Sequence, residues 1–222
     1  MEKLFLYLLI YSFLLIPIGY LFGKSKKGAV PIVLLCYGII FFLLLNFYFD
    51  IPKNYRKIQQ TAYTFLEYCT FSFVLWKAVS ERRLRRLILY ISLLFLVFNV
   101  AYFFSSESQR IDSVPVGIET ILIFFYSVLF FQQYFKKNQT PMVSNPNFYL
   151  VVGILIYLGA TFFFNILANN VSKEQSDRYW HFTYIPEIIK NILFMLAVLI
   201  HSRFPSGNQP KKSESVPYLD MI

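Results

Sequence analysis

The chain has 222 residues, 57% of them hydrophobic and only 15% charged, with a formal net charge of +9. A soluble domain is about 45–50% apolar and about 25% charged, so an ordinary water-soluble globule is excluded. The basic residues flank apolar runs instead of forming a domain of their own, which leaves nothing to carry nucleic acid binding and points to topology and anionic lipid headgroups.

The apolar runs are long enough to cross about 30 Å of hydrocarbon. A spanning helix satisfies its own backbone hydrogen bonds, whereas a transmembrane barrel alternates inward and outward residues with period two. Runs such as Leu87 to Phe104 do not alternate, so helices are predicted. The mean hydropathy of +0.52 agrees.

Seven spans follow in order, at roughly 4–22, 29–49, 60–79, 87–104, 113–135, 148–168 and 182–202. The first begins at Leu4 and is interrupted only by Pro17 and Gly19. It exceeds the h-region of a signal peptide, and no small-residue cleavage site follows. It is therefore read as a retained helix, kinked by Pro17 near its end. Pro31, Pro115, Pro146 and Pro186 lie near span starts, where a missing N–H costs little. Cys36 and Cys69 fall in the second and third spans and read as small packing residues. Two cysteines make no disulfide framework. The longest connection runs from Asn169 to His181, and the tail from Phe204 to Ile222 is polar with three prolines. The expectation is an all-α polytopic membrane protein: a seven-transmembrane-helix bundle over residues 1–203 and a disordered cytoplasmic tail over 204–222.

Orientation follows from the positive-inside rule. One set of connections carries thirteen basic residues, including Lys24, Lys26, Lys27, Lys77 and the four arginines of Glu81-Arg82-Arg83-Leu84-Arg85-Arg86; the other carries seven. The bias places the N-terminus outside and the C-terminus in the cytoplasm. Lys190 alone among the 21 basic residues lies well inside a span.

Ionisable groups deep in a spanning helix cost at least ~2.5–3.5 kcal/mol, so each is a functional candidate. There are four: Glu67 in the third span, Glu119 in the fifth, and Glu187 and Lys190 in the seventh. Counted from the outer ends of their spans, all four lie roughly 7–12 Å deep. Asn46, Asn99 and Asn165 lie near the outer ends of the spans running the other way.

Helical spacing gathers these residues into stripes. Gln60, Tyr63, Thr64, Glu67 and Thr70 share a face, as do Asp112, Glu119, Tyr126 and Gln133 at intervals of seven. Tyr157, Thr161, Asn165 and Asn169 recur every four, and Thr183, Glu187, Lys190 and Asn191 form a last stripe. Such faces belong inside the bundle. One reading is a polar network that only joins helices, with Lys190 paired to Glu119, Glu67 or Glu187. The other is a ligand pocket in the outer half, built from Glu67, Glu119, Lys190, Glu187, Asn165, Asn191, Tyr63 and Tyr126. Three carboxyl groups exceed what one lysine needs; the excess calls for protons, water or a cation.

Familiar chemistries do not fit. His181 and His201 are too few and too far apart for zinc. There is no G-x-S-x-G, no phosphate-binding glycine loop and no paired histidine or cysteine motif for haem or redox work. No cofactor is expected. A site for a hard cation on Glu67, Glu119 and Glu187 stays open.

Seven spans, an outside N-terminus and a lysine in the last span resemble microbial rhodopsins. That resemblance implies retinal on Lys190 as a Schiff base with Glu67 as counter-ion. Its aromatic pocket is not matched, because Trp76 and Trp180 lie elsewhere. The second and sixth spans resemble each other faintly, each with a late asparagine. A three-plus-one-plus-three arrangement is similar to the SWEET and nicotinamide riboside transporter families and implies transport of a small solute or ion.

The stretch NPNFYLVVGILIYLGATFFFNIL, followed by IIKNILFMLAVLI, resembles small seven-helix inner-membrane proteins of Bacteroidota and the membrane modules of sensor histidine kinases. The resemblance rests on Asn145, Pro146, Gly153, Tyr157, Asn165, Lys190 and Asn191, with Glu119 upstream. It implies a sensory, receptor-like protein of the bacterial inner membrane that binds a small ligand. With no kinase domain after Arg203, signalling would need a separate partner. The alternative function is transport through the same cavity, which needs a polar route through the inner half. Tyr126, Gln133 and His201 are the candidates for it.

Overall fold

The computed structural model describes residues 2–23, 28–46, 55–105, 113–136, 144–170 and 180–203, and every long element among them is an α-helix. The helices are α1 (Glu2–Ser12), α2 (Leu15–Phe22), α3 (Ala29–Asn46), α4 (Arg56–Ala78), α5 (Arg82–Ser105), α6 (Ser113–Lys136), α7 (Pro146–Asn170) and α8 (Tyr184–Arg203). A 3₁₀ turn at Trp180–Thr183 leads into α8. The predicted tail and most of the connection before α8 lie outside the described residues.

Six stretches are long and apolar enough to cross a membrane: Leu4–Phe22, which combines α1 and α2, and the helices α3, α5, α6, α7 and α8. The chain is therefore a multi-pass helical membrane protein. The remaining predicted span, α4, has 23 residues, about 34 Å at helical rise. It is more polar, carrying Gln59, Gln60, Thr64, Glu67 and Lys77. It can be so because it sits among the others, packed on α3, α5, α6 and α7.

Direction follows from side-chain pairs along the helices. Tyr63 meets Glu187 and Glu67 meets Lys190, so α4 and α8 run parallel. Gln59 reaches the Leu44 carbonyl while Tyr37 and Glu67 both reach Lys190, so α3 runs antiparallel to α4. Tyr126 lies by Ser92, and Gln133 by Glu81 just before α5 begins, so α5 and α6 are antiparallel too. One end of the bundle therefore gathers Glu2, Asn46, Ser105, Ser113 and Tyr184. The opposite end gathers Phe22, Ala29, Ala78, Lys136, Pro146 and Arg203, together with the arginines that open α5.

The bundle is dressed for lipid. Leu94, Phe104 and Phe163 are each at least 70% exposed, which would cost about 25 cal/mol per Å² in water and nothing in hydrocarbon. Inside, Phe13, Tyr37, Phe41, Tyr68, Phe71, Tyr126 and Phe194 form a buried aromatic core. Cys36, expected to pack inside, is exposed, and Cys69 is half-buried. Cys36 directly precedes Tyr37, whose side chain takes the inward face of α3, and neighbouring helix positions point about 100° apart.

The kink of the first span is a full break, and it falls in the middle. Pro17 offers no N–H to the carbonyl four residues earlier, and its ring crowds that carbonyl. The Leu14 N–H turns to the Tyr11 carbonyl at 3.0 Å, and regular bonding resumes when Ile18 donates to Leu14, also at 3.0 Å. The disturbance thus centres on Phe13 and Leu14, four residues before the proline and not near the end of the span. Gly38 of α3 packs on this break: a Cβ there would lie 2.8 Å from both the Phe13 carbonyl oxygen and Pro17 Cδ.

Candidate functional site

Four helices meet around Lys190. Its side chain is fully buried, and its three N–H bonds find three acceptors. Nζ donates to Tyr37 Oη of α3 at 2.7 Å, to Glu187 Oε1 at 3.4 Å and to Glu67 Oε1 of α4 at 3.5 Å. The ring of Tyr157, from α7, lies with its centroid 3.8 Å from Nζ. Phe13, Tyr37 and Phe71 place their rings 5.4–5.6 Å away. An ammonium within about 6 Å of an aromatic face is attracted by it, most strongly where water is excluded.

Each carboxylate also accepts from a tyrosine, Glu67 on its other oxygen and Glu187 on the oxygen that faces the lysine. Tyr63 Oη donates to Glu187 Oε1 at 2.7 Å, and Tyr157 Oη donates to Glu67 Oε2 at 3.2 Å. The ammonium's closest contact is thus a neutral hydroxyl. Its two ion pairs are longer than the ~2.7–2.9 Å of a tight charge-assisted bond. Two carboxylates share one lysine, and neither engages it closely.

Register explains why these residues meet. Glu187 and Lys190 are three apart, so they share a face of α8. Tyr63 and Glu67 are four apart on α4, which runs parallel, so each α4 residue meets its partner at the same level. Glu67 stands eleven residues from either end of α4. On α4 the cluster is therefore at mid-helix, because α4 begins four residues earlier than expected; on α8, Glu187 and Lys190 stay within two turns of its first residue.

The predicted site residues divide into groups. Glu67, Glu187, Lys190 and Tyr63 come together. Asn191 does not join them: it is fully buried, and its Nδ2 donates to Ser12 Oγ at 2.8 Å, while Ser12 donates to the Leu9 carbonyl at 2.7 Å. It ties α8 to the last turn of α1, beside the break. Tyr126 lies among the hydroxyls of Tyr68 and Ser92, between α4, α5 and α6. Asn165 belongs to α7, but its side chain lies outside the described residues. Glu119 makes no pair with Lys190, one of the partners expected for it. It is only 3% exposed, and its Oε1 has no hydrogen-bond partner.

Tyr37 was not singled out in the sequence, and Tyr157 appeared in a stripe and among the residues of a resemblance but not among the site candidates. The legible sign for Tyr37 was the face Leu34, Tyr37, Gly38 and Phe41, now buried together. A tyrosine hydroxyl on a wholly apolar helical face needs a partner, and Lys190 is that partner.

No group of three or more histidine, cysteine, aspartate or glutamate side chains that could hold a metal ion occurs among the described residues. Trp76 sits at the basic end, beneath Lys77 and Arg85. Chemically, the cluster can hold charge, exchange partners among two carboxylates and three phenols, and accept a ligand that substitutes for one of them. No protein-family model, curated protein or solved structure matches the chain.

Proposed function

We propose that the chain is a receptor-like, sensory protein of a bacterial inner membrane that binds a small polar ligand among α3, α4, α7 and α8. The observation that carries this reading is the loosely shared lysine. A buried ammonium with two ion pairs near 3.5 Å keeps its charge compensated while leaving each contact exchangeable. A network serving only to join helices gains little from such an arrangement, since interhelical hydrogen bonds average about 0.6 kcal/mol. A ligand bearing an amine would compete for Glu67 and Glu187; one bearing a carboxylate would compete for Lys190.

In this reading the chain crosses the membrane seven times, α4 included, with its N-terminus outside. The alternating helix directions and the basic residues gathered at the Lys136 and Arg203 end support that orientation. The signal would pass through a separate protein at the cytoplasmic end.

The test is a thermal-shift screen of the purified full chain against small amines, carboxylates and amino acids. A compound present at a hundredfold excess over its Kd adds about 2.7 kcal/mol of stability. The reading expects at least one compound to raise the melting temperature of the wild type while leaving Lys190→Met unchanged. Equal stabilisation of wild type, Lys190→Met and Glu67→Gln would overturn it.

A further inference from the structure

One carboxyl group beside the lysine cluster is left without a partner. Glu119 stands six residues into α6, about 9 Å down the helix, and Lys190 stands six residues into α8. Both helices start at the same end of the bundle, so the two groups lie at like depth from it. The charges of Glu67 and Lys190 act directly on the Glu119 carboxyl, and the charge of Glu119 reaches the Tyr37 hydroxyl. Glu67 and Glu187 each hold a tyrosine hydroxyl and share the ammonium. Glu119 is 3% exposed, and its Oε1 has no hydrogen-bond partner. Buried polar atoms are nearly always satisfied, and a carboxylate taken out of water without a partner is costly.

The charge count sets the sign of what completes it. Three carboxyl groups stand about one ammonium, and Lys190 already serves two of them at 3.4–3.5 Å. Moving it to Glu119 would strand that pair. A ligand carboxylate would add a fourth negative charge, which the others repel. A ligand ammonium brings the N–H donors that Glu119 lacks. The carboxylates do not converge as a metal site would, since no group of three or more metal-ligating side chains occurs among the described residues. The surroundings suit an organic cation, with the rings of Tyr37, Phe71 and Tyr157 all within 6 Å of Lys190 Nζ.

Lys190 sets the second feature. Its ion pairs are longer than the ~2.7–2.9 Å of a tight charge-assisted bond, so an oxygen that approaches closely can take over one of its N–H bonds. A neutral oxygen does so without adding negative charge.

We propose that the ligand is a small organic cation, a primary amine with a hydroxyl or carbonyl oxygen close by. Glu119 holds its ammonium, and Lys190 donates to its oxygen. This assignment rests on the binding site proposed above, extends that site to α6 and names the class of ligand it takes. On binding, Glu119 gains a donor and Lys190 exchanges one long contact for a short one. No covalent bond forms or breaks.

The purified full chain is melted in phosphate buffer with ethanolamine, glycinamide, ethylamine or propionate at equal concentrations. Ethanolamine and glycinamide should raise the wild-type midpoint most, ethylamine less, and propionate not at all. Glu119→Gln, which keeps the side-chain shape without the charge, should weaken ethanolamine by about tenfold or more, the loss of a hydrogen bond to a charged group. Glu119→Asp should retain part of the response. Gly159→Ala, at a position with open space around it, should match wild type. Solid-state NMR gives a second readout: ¹⁵N-ethanolamine should contact a glutamate carboxyl in wild type carrying ¹³C-labelled glutamate. That contact should vanish in Glu119→Asp, whose aspartate is unlabelled, while binding persists. An equal ethanolamine response in wild type and Glu119→Gln overturns the assignment of Glu119. A response to propionate alone overturns the ligand class and leaves the receptor reading standing, whereas no response to any compound of the wider screen ends both.

Discussion

Replacing Lys190 by methionine removes the ammonium while keeping most of the side chain's volume, and the structure sets the size of the effect. Nζ is enclosed, with three acceptors and the Tyr157 ring around it. Without it, Glu67 and Glu187 face each other inside the bundle with only Tyr157 and Tyr63 as donors. Removing one partner of a buried ion pair costs about 3–5 kcal/mol. For a chain of this size, each kcal/mol moves the midpoint by about 2–4 °C, so a fall of about 6–20 °C is expected. The assay is thermal unfolding of purified protein in detergent, followed by intrinsic fluorescence. Adding Glu67→Gln to Lys190→Met should recover part of the loss, because it removes one stranded carboxylate. The double variant should therefore be more stable than the sum of the single effects predicts. A Lys190→Met midpoint within about 2 °C of wild type would refute the reasoning.

Other changes probe the parts separately. Tyr37→Phe removes the shortest bond to the ammonium and should cost about 1.5–3 kcal/mol by the same melt, the range for hydrogen bonds to charged groups. Tyr157→Leu should cost more than Tyr157→Phe, since only the former also removes the ring beside Nζ, worth about 2 kcal/mol when desolvated. Gly38→Ala forces a Cβ against the Phe13 carbonyl and Pro17 and should destabilise by about 1–3 kcal/mol. Gly117→Ala, where no atom lies within 4 Å of the new Cβ, should be neutral or stabilising by up to about 1 kcal/mol. Equal melting shifts for the two glycine variants would show that α3 does not pack on the break.

Much of the architecture could be read from residues alone because lipid imposes simple rules. The six apolar stretches were legible from length and hydropathy. So was α4, through the stripe of Tyr63, Thr64 and Glu67, although its composition is less apolar. What periodicity could not supply was the start of α4. Glu67 was counted from a span start four residues too late, and a helix buried among others need not end where hydropathy falls. Periodicity also assigned faces without saying which helix each face would meet. Glu119 and Glu67 both pointed inward, yet only Glu67 reaches the lysine, while Glu119 Oε1 is buried without a hydrogen-bond partner. Tyr37 escaped notice because a single phenol in an apolar run carries no period of its own. Asn191 was drawn to the site by the stripe it shares with Thr183, Glu187 and Lys190, but such a stripe is wide enough to meet two neighbouring helices, and its partner is Ser12 of α1.

The most direct measurement is the surroundings of the Lys190 nitrogen in a lipid bilayer. Solid-state NMR of protein carrying ¹⁵N-lysine and ¹³C-labelled glutamate carboxyls reads dipolar contacts from Nζ to nearby carboxyl carbons. Two glutamate contacts are predicted, one vanishing in Glu67→Leu and the other in Glu187→Leu, with both unaffected by Glu119→Gln. A Lys190 nitrogen coupled to no glutamate carboxyl, or to that of Glu119, would contradict the account.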